Sequence, residues 1–205
     1  MDQLGKYLAE ALKASMEHIP NELRKKCLVI GGAALQLLGS KRSTRDLDFA
    51  ASEEAQSEFL HSIKTDKRFV QGGFKDITFN CVLNQPAVEI EFVTPGEGDI
   101  PTITGQFKVL SDPTVYAPTA DQLLVMKAAC IRLWDEDSDI EDLRFLIDYL
   151  TKGKKFFEGF PENGHMVMET IGKLDELHKE RLNGLLAEVR SRVLAIKSVI
   201  ANRDM

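Results

Sequence analysis

A chain of 205 residues, 43% of them hydrophobic, is long enough to bury a full core, as one large domain or as two small ones sharing an interface. Its formal net charge of −6 argues against a protein that coats nucleic acid through a broad basic surface, and leaves room only for a local cationic patch. No apolar run approaches the roughly 20 residues needed to span a bilayer, so no membrane contact and a cytoplasmic location are expected.

Leu4, Leu8, Leu12 and Met16 recur at helical spacing, which predicts an amphipathic first helix. Cys27 to Ile30 is a short apolar run closed by Gly31 and Gly32, the pattern of a buried strand, and the next residues predict a short helix stopped near Gly39. "RDLDFA", Arg45 to Ala50, alternates acid and apolar residues as a strand with unlike faces does. Ser52, followed by two glutamates, predicts the N-cap of a helix running to about Lys64. Two more strands are expected. One places Ile77, Phe79, Cys81 and Leu83 on one face, and the other Val88, Ile90 and Phe92, with Pro86 in the turn between them. Thr94 to Gln106, rich in Gly, Pro and Thr, predicts a loop or irregular edge.

After Pro118 the pattern is wholly helical. Thr119 is the expected cap of the first of these helices, "DIEDLRFLIDYL" forms another, and a terminal helix carries Leu182, Leu185, Val189, Val193, Ile196 and Ile200 on one stripe. "KGKKFFEGF" reads as a charged helix exit, and Trp134 as a packing anchor. The expected class is α/β (α+β): a mixed sheet flanked by helices over residues 1–118, then a helical domain over 119–205 that closes one side of a cleft.

Cys27, Cys81 and Cys130 are odd in number and far apart, so they read as buried small hydrophobes and not as a disulfide or thiolate-zinc framework. The four histidines show no metal-ligand spacing and receive no role.

The chemistry concentrates between Gly31 and Asp48. Side chains of a strand alternate, so Asp46 and Asp48 project from one face while Leu47 and Phe49 enter the core. Neighbouring strands lie about 4.8 Å apart, and a carboxylate on one of them, Glu89 or Glu91, would complete a three-acid cluster. Hard oxygen ligands of this kind suit Mg²⁺ or Mn²⁺ better than zinc. Desolvating such a cluster without a cation costs several kcal/mol. Gly31 and Gly32, between a strand and a helix, let backbone N–H groups approach an anion such as a phosphate. Lys41, Arg42 and Arg45 add cations nearby, and Ser40, Ser43 and Thr44 add hydroxyls. Together these describe a nucleoside triphosphate held through its phosphates and metal. Taken alone, a Gly-Gly pair is more often a turn and a D-x-D pair more often a solvated face; the joint arrangement is the stronger signal. Neither a Walker loop nor G-x-G-x-x-G is present.

The set Gly31, Gly32, Arg42, Thr44, Asp46 and Asp48 resembles the minimal nucleotidyltransferases of the DNA polymerase β superfamily, in particular the AbiEii-like group, whose pattern is G-G/S, a short helix, then R-x-T-x-D-h-D. That family more often has Gly-Ser at the first pair, so one hydroxyl contact to phosphate is missing here. The resemblance covers roughly residues 25 to 150. It implies catalytic acids Asp46, Asp48 and a third acid in "VEIEF", with Glu91 favoured over Glu89, and metal held by Asp46, Asp48 and Glu91. It further implies nucleotide binding by Gly31, Gly32, Arg42, Thr44, Lys127 and Asp142, the last two from a helical stretch that also carries Asp139 and Arg132. The implied activity is transfer of an NMP from an NTP to an acceptor hydroxyl on a small molecule, tRNA or protein, with Mg²⁺ or Mn²⁺ as cofactor and pyrophosphate leaving. A toxin of a toxin–antitoxin pair, or a catalytically idle nucleotide-binding module of the same fold, are the alternatives. A plain α/β scaffold would leave the acid cluster unexplained.

Overall fold

The computed structural model describes residues 5–72, 77–81, 87–97, 100–103, 105–109, 112–134, 136–153 and 160–201. The chain divides into two compact units, Met1–Thr119 and Ala120–Met205.

The first unit is built on a seven-stranded mixed sheet. Its elements in chain order are α1 (Lys6–Glu17), β1 (Cys27–Val29), α2 (Gly31–Leu37), β2 (Asp46–Ala51), α3 (Glu53–Ser62), β3 (Phe69–Gln71), β4 (Ile77–Phe79), β5 (Val88–Val93), β6 (Gln106–Lys108) and β7 (Tyr116–Pro118). The strands run in the order β3-β4-β5-β2-β1-β7-β6. β2 and β5 pair in parallel, as do β1 and β7, while β1–β2, β3–β4, β4–β5 and β6–β7 are antiparallel. The acidic strand β2 therefore lies near the middle of the sheet, where its backbone is bonded on both sides and cannot slip register.

The apolar face of this sheet is filled by aromatic rings. Phe49 of β2 stacks on Phe92 of β5 with centroids 5.3 Å apart, and Phe59 of α3 meets Phe92 at 5.1 Å and Phe69 at 5.7 Å. Phe49, Phe59 and Phe79 are fully buried, as are Leu8 and Leu12 of α1. Each such side chain stabilises the fold by about 1.5–3 kcal/mol relative to exposure. Ser52 caps α3 as expected, its hydroxyl accepting from the Ala55 N–H at 3.3 Å, with Glu53 and Glu54 in the first turn complementing the helix dipole.

The second unit is helical: α4 (Ala120–Trp134), α5 (Asp137–Gly153), α6 (Phe160–Glu169) and α7 (Glu176–Ala201), with a 3-10 turn over Thr170–Lys173. Its core includes Leu124, Ala128, Leu143, Leu146, Ile147, Val167 and Leu182.

Several expectations need correction. α2 begins on Gly31 itself, so the glycines are the first turn of the helix and not a linker before it. α3 ends at Ser62 and passes into a 3-10 turn, Ile63–Thr65, short of Lys64. β3, β6 and β7 are additional strands; each has three residues, too few for alternation to mark. Cys27 is buried as expected, but Cys81 and Cys130 are only partly so. On α7 the buried pair is Leu182 and Leu186, four residues apart, while Leu185 is half-buried. Leu4, Leu83, Pro86 and residues 154–159 of the charged stretch lie outside the described residues, as do the side chains of Trp134, Val189, Val193, Ile196 and Ile200. Among the described residues, no helix is long and apolar enough to cross a membrane.

Candidate functional site

The parallel register of β2 on β5 sets Asp46 beside Glu89 and Asp48 beside Glu91, with Leu47 beside Ile90 and Phe49 beside Phe92. Side chains of paired residues point the same way, so the four carboxylates occupy one face and the four apolar groups the other. Leu47, Phe49 and Ile90 are fully buried. Asp46 and Asp48 are half-buried, and Glu89 and Glu91 are exposed. The face is thus graded, from aspartates held close to the fold to glutamates reaching into solvent.

β1 runs antiparallel beside β2 and delivers the chain to the same place. The Ile30 N–H donates to the Asp48 carbonyl at 2.9 Å, and the backbone then turns at Gly31 with φ +61°. A side chain at Gly31 would put its Cβ 2.0 Å from Asp48 Oδ2. Glycine is required here twice over: for the left-handed backbone, and because the Asp48 carboxylate occupies the space a Cβ would take. Gly32 is equally confined. Its Cβ would lie 2.7 Å from both Cβ and Oγ1 of Thr44 and 3.2 Å from Arg42 Nη2. The two glycines pack directly on the acid at one side and on the Arg42–Thr44 segment at the other. α2 has only seven residues, so what it contributes is close backbone approach more than a strong dipole.

The segment between α2 and β2 has no regular structure, and side chains hold it. Gln36 Nε2 donates to the Arg42 carbonyl at 2.8 Å, the Tyr7 hydroxyl donates to the Thr44 carbonyl at 2.8 Å, and the Arg42 N–H donates to Ser40 Oγ at 3.3 Å. Thr44 is buried, and its hydroxyl donates a short hydrogen bond to Asp46 Oδ1. Gln36 and Tyr7 carried no functional expectation.

The donor chemistry fits a hard divalent cation: every side-chain acid on the face offers carboxylate oxygen, and Asp46 spends one acceptor position on Thr44 out of about four that a carboxylate has. Among the described residues, no three acidic, His or Cys side chains converge closely enough to enclose an ion by themselves. Asp46 and Asp48 could hold one only in company with oxygens from elsewhere, such as water and a phosphate.

Lys127 and Asp142 belong to the second unit. The Lys127 ammonium lies 2.7 Å from Asp139 and 2.9 Å from Asp142, the latter 1% exposed. Burial alone would lower the lysine's pKa; Asp142 and Asp139 more than offset this and raise it. The three form an ion cluster joining α4 to α5. Arg132 faces Glu169 at 3.8 Å.

Elsewhere in the first unit, His18 at the end of α1 places Nδ1 2.8 Å from Ser62 Oγ and Nε2 2.8 Å from Asp66 Oδ2, its ring edge-on to Phe69. Arg68 donates to both Asp66 oxygens and to Glu17. This network ties α1 to the turn after α3.

No protein-family model matches the chain, and no curated protein matches it significantly. Among solved structures it is similar to an antigenic nucleotidyltransferase-like protein from Paracoccidioides brasiliensis, at 18% identity and a TM-score of 0.47, over 78% of this chain and 88% of that one. At that distance the functional reading rests on the residues themselves.

Proposed function

We propose that the chain is a metal-dependent nucleotidyltransferase that moves an NMP from a nucleoside triphosphate to an acceptor hydroxyl on a small molecule or RNA. The observation that carries this is the β2–β5 register, which ranks Asp46, Asp48, Glu89 and Glu91 on one sheet face with Asp48 seated against Gly31. Four carboxylates beside a turn with no side chain form a surface that repels a bare triphosphate and accepts one that arrives with divalent cations.

In this reading Asp46 and Asp48 hold Mg²⁺ or Mn²⁺. The bound cation supplies charge neutralisation at the phosphates and a lowered pKa at an acceptor hydroxyl. Gly31 and Gly32 let Asp48 and the Arg42–Thr44 segment close on the backbone beside the phosphates, and Arg42 offers planar donors to the phosphate oxygens. The acceptor oxygen bonds to the α-phosphorus as the bond to the β-phosphate oxygen breaks. Pyrophosphate leaves, and Glu91 takes the acceptor's proton, with Glu89, two residues away on the same face, as the alternative. Thr44 holds Asp46 in one orientation throughout, so the carboxylate need not reorganise as charge develops.

The test is pyrophosphate release from each NTP with Mg²⁺ and a pool of small molecules and RNA. Release that disappears in Asp46→Asn supports transfer. Nucleotide binding without release assigns the chain to the idle class, and absence of both refutes a nucleotide site.

A further inference from the structure

Resting on that reading, we infer that Tyr7 is a positioning residue for the acidic site, acting on Asp46 through Thr44. The phenol lies on α1, 37 residues before Thr44 in sequence, and its hydroxyl donates to the Thr44 carbonyl at 2.8 Å. The hydroxyl of the same threonine donates to Asp46 Oδ1. Thr44 is 7% exposed, and its Cβ is pressed against the position a Cβ on Gly32 would occupy. Its backbone is gripped by Tyr7, its side chain is backed by the first turn of α2, and its one donor is committed to the acid.

Three features show that the phenol is placed for this contact. Gly5, the N-cap of α1, lies under the ring: a Cβ there would stand 3.0 Å from Tyr7 Cε1. The Tyr7 carbonyl accepts from the Cys81 thiol at 3.7 Å, which ties this turn of α1 to the chain just past β4. The bond also falls in an irregular segment, where no strand or helix ladder fixes the height of Thr44. Removing it lets the Thr44 peptide rotate, and the Asp46 carboxylate turns with it.

Mn²⁺ alone is the probe, titrated into the full chain and followed by the electron paramagnetic resonance signal of the free ion. Wild type binds Mn²⁺, and Asp46→Asn abolishes it. Tyr7→Phe, which keeps the ring and deletes only the hydroxyl, weakens binding about five- to tenfold, the worth of one partly buried hydrogen bond. Thr44→Val weakens it at least as much, Thr44→Ser retains it, and adding Tyr7→Phe to Thr44→Val changes nothing further, because the route to Asp46 is already cut. Arg24→Gln is the control: Arg24 braces the other end of α1 by donating to the Met16 and Ile19 carbonyls, and its loss loosens the helix without touching Thr44. Equal Mn²⁺ affinity in Tyr7→Phe and wild type overturns the inference, as does an equal loss in Arg24→Gln or an additive double variant. Wild type that binds no Mn²⁺ overturns the metal reading itself, and the two failures are told apart by that first titration.

Discussion

Replacing Gly31 by alanine separates the needs of the fold from those of the site. At φ +61° an alanine costs about 1–2 kcal/mol of backbone strain. Its Cβ would also stand 2.0 Å from Asp48 Oδ2, against ordinary carbon–oxygen contacts of about 3.4 Å, so the carboxylate must move by more than about 1 Å. The carboxylate is the outer end of a short side chain and can rotate away, so this second effect falls on the site more than on folding. Misplacing a reacting or ligating group by about 1 Å costs about 10²-fold in rate. Gly96→Ala is the matched comparison. Its φ of +84° carries a similar backbone penalty, but the new Cβ would meet Thr102 Oγ1 at 3.2 Å and not a carboxylate. Thermal unfolding should show both variants lowered by a few degrees. Pyrophosphate release should fall about a hundredfold in Gly31→Ala only, with Mn²⁺ affinity weakened in the same variant alone. Equal losses of function in the two variants, or none in Gly31→Ala, would refute the claim that Asp48 must sit where the glycine leaves space.

Lys127→Met removes the buried ammonium that faces Asp139 and Asp142 and should destabilise the chain by about 3–5 kcal/mol in chemical denaturation. Since the Lys127 pKa is raised, that ion cluster's contribution is complete below about pH 10 and is lost as the pH climbs through the raised value; the wild-type advantage over the variant should shrink there. The Asp66 carboxyl shifts the opposite way: hydrogen bonding from the Arg68 side chain, then from its backbone and from His18, holds it well below the usual carboxylate range. Asp66→Asn should therefore cost about 1 kcal/mol at neutral pH, discounted for the 40% exposure of Arg68, with the difference present above about pH 4 and vanishing as pH falls further. Burial pushes the Cys27 thiol far up, so mass spectrometry after brief iodoacetamide treatment should find it unmodified in the native chain and modified in denaturant.

Much of the first unit could be read from local pattern. Alternation in "RDLDFA" and "VEIEF" puts acids and apolar groups on opposite faces whatever their neighbours, and β2 and β5 show that division. Ser52 with two glutamates marks a helix start through its own chemistry. The expected change of character after Pro118 lies one residue before the division between the two units. What escaped the sequence depends on partners far along the chain. β3, β6 and β7 are three-residue segments that count as strands only because they pair, and β7 reaches β1 across more than eighty residues. That Asp48 is abreast of Glu91, and Asp46 of Glu89, is a matter of register, which alternation alone leaves free by two-residue steps. Lys127 shows the same limit from the other side: a lysine twelve residues before an aspartate reads as a phosphate ligand or a solvated ion pair, and only packing of α4 on α5 reveals its charge to be paired within the helical unit. Tyr7 had no local signal, because its single telling bond crosses from the first helix to the turn before β2.

The most direct measurement is calorimetric titration of Mg²⁺ with each nucleoside triphosphate into the wild-type chain and into Asp48→Asn. The account predicts a nucleotide-binding heat in wild type that appears only when Mg²⁺ is present, and its loss in the variant while the variant's unfolding temperature stays within a few degrees of wild type. Binding of nucleotide that ignores Mg²⁺, or that persists undiminished in Asp48→Asn, would contradict it.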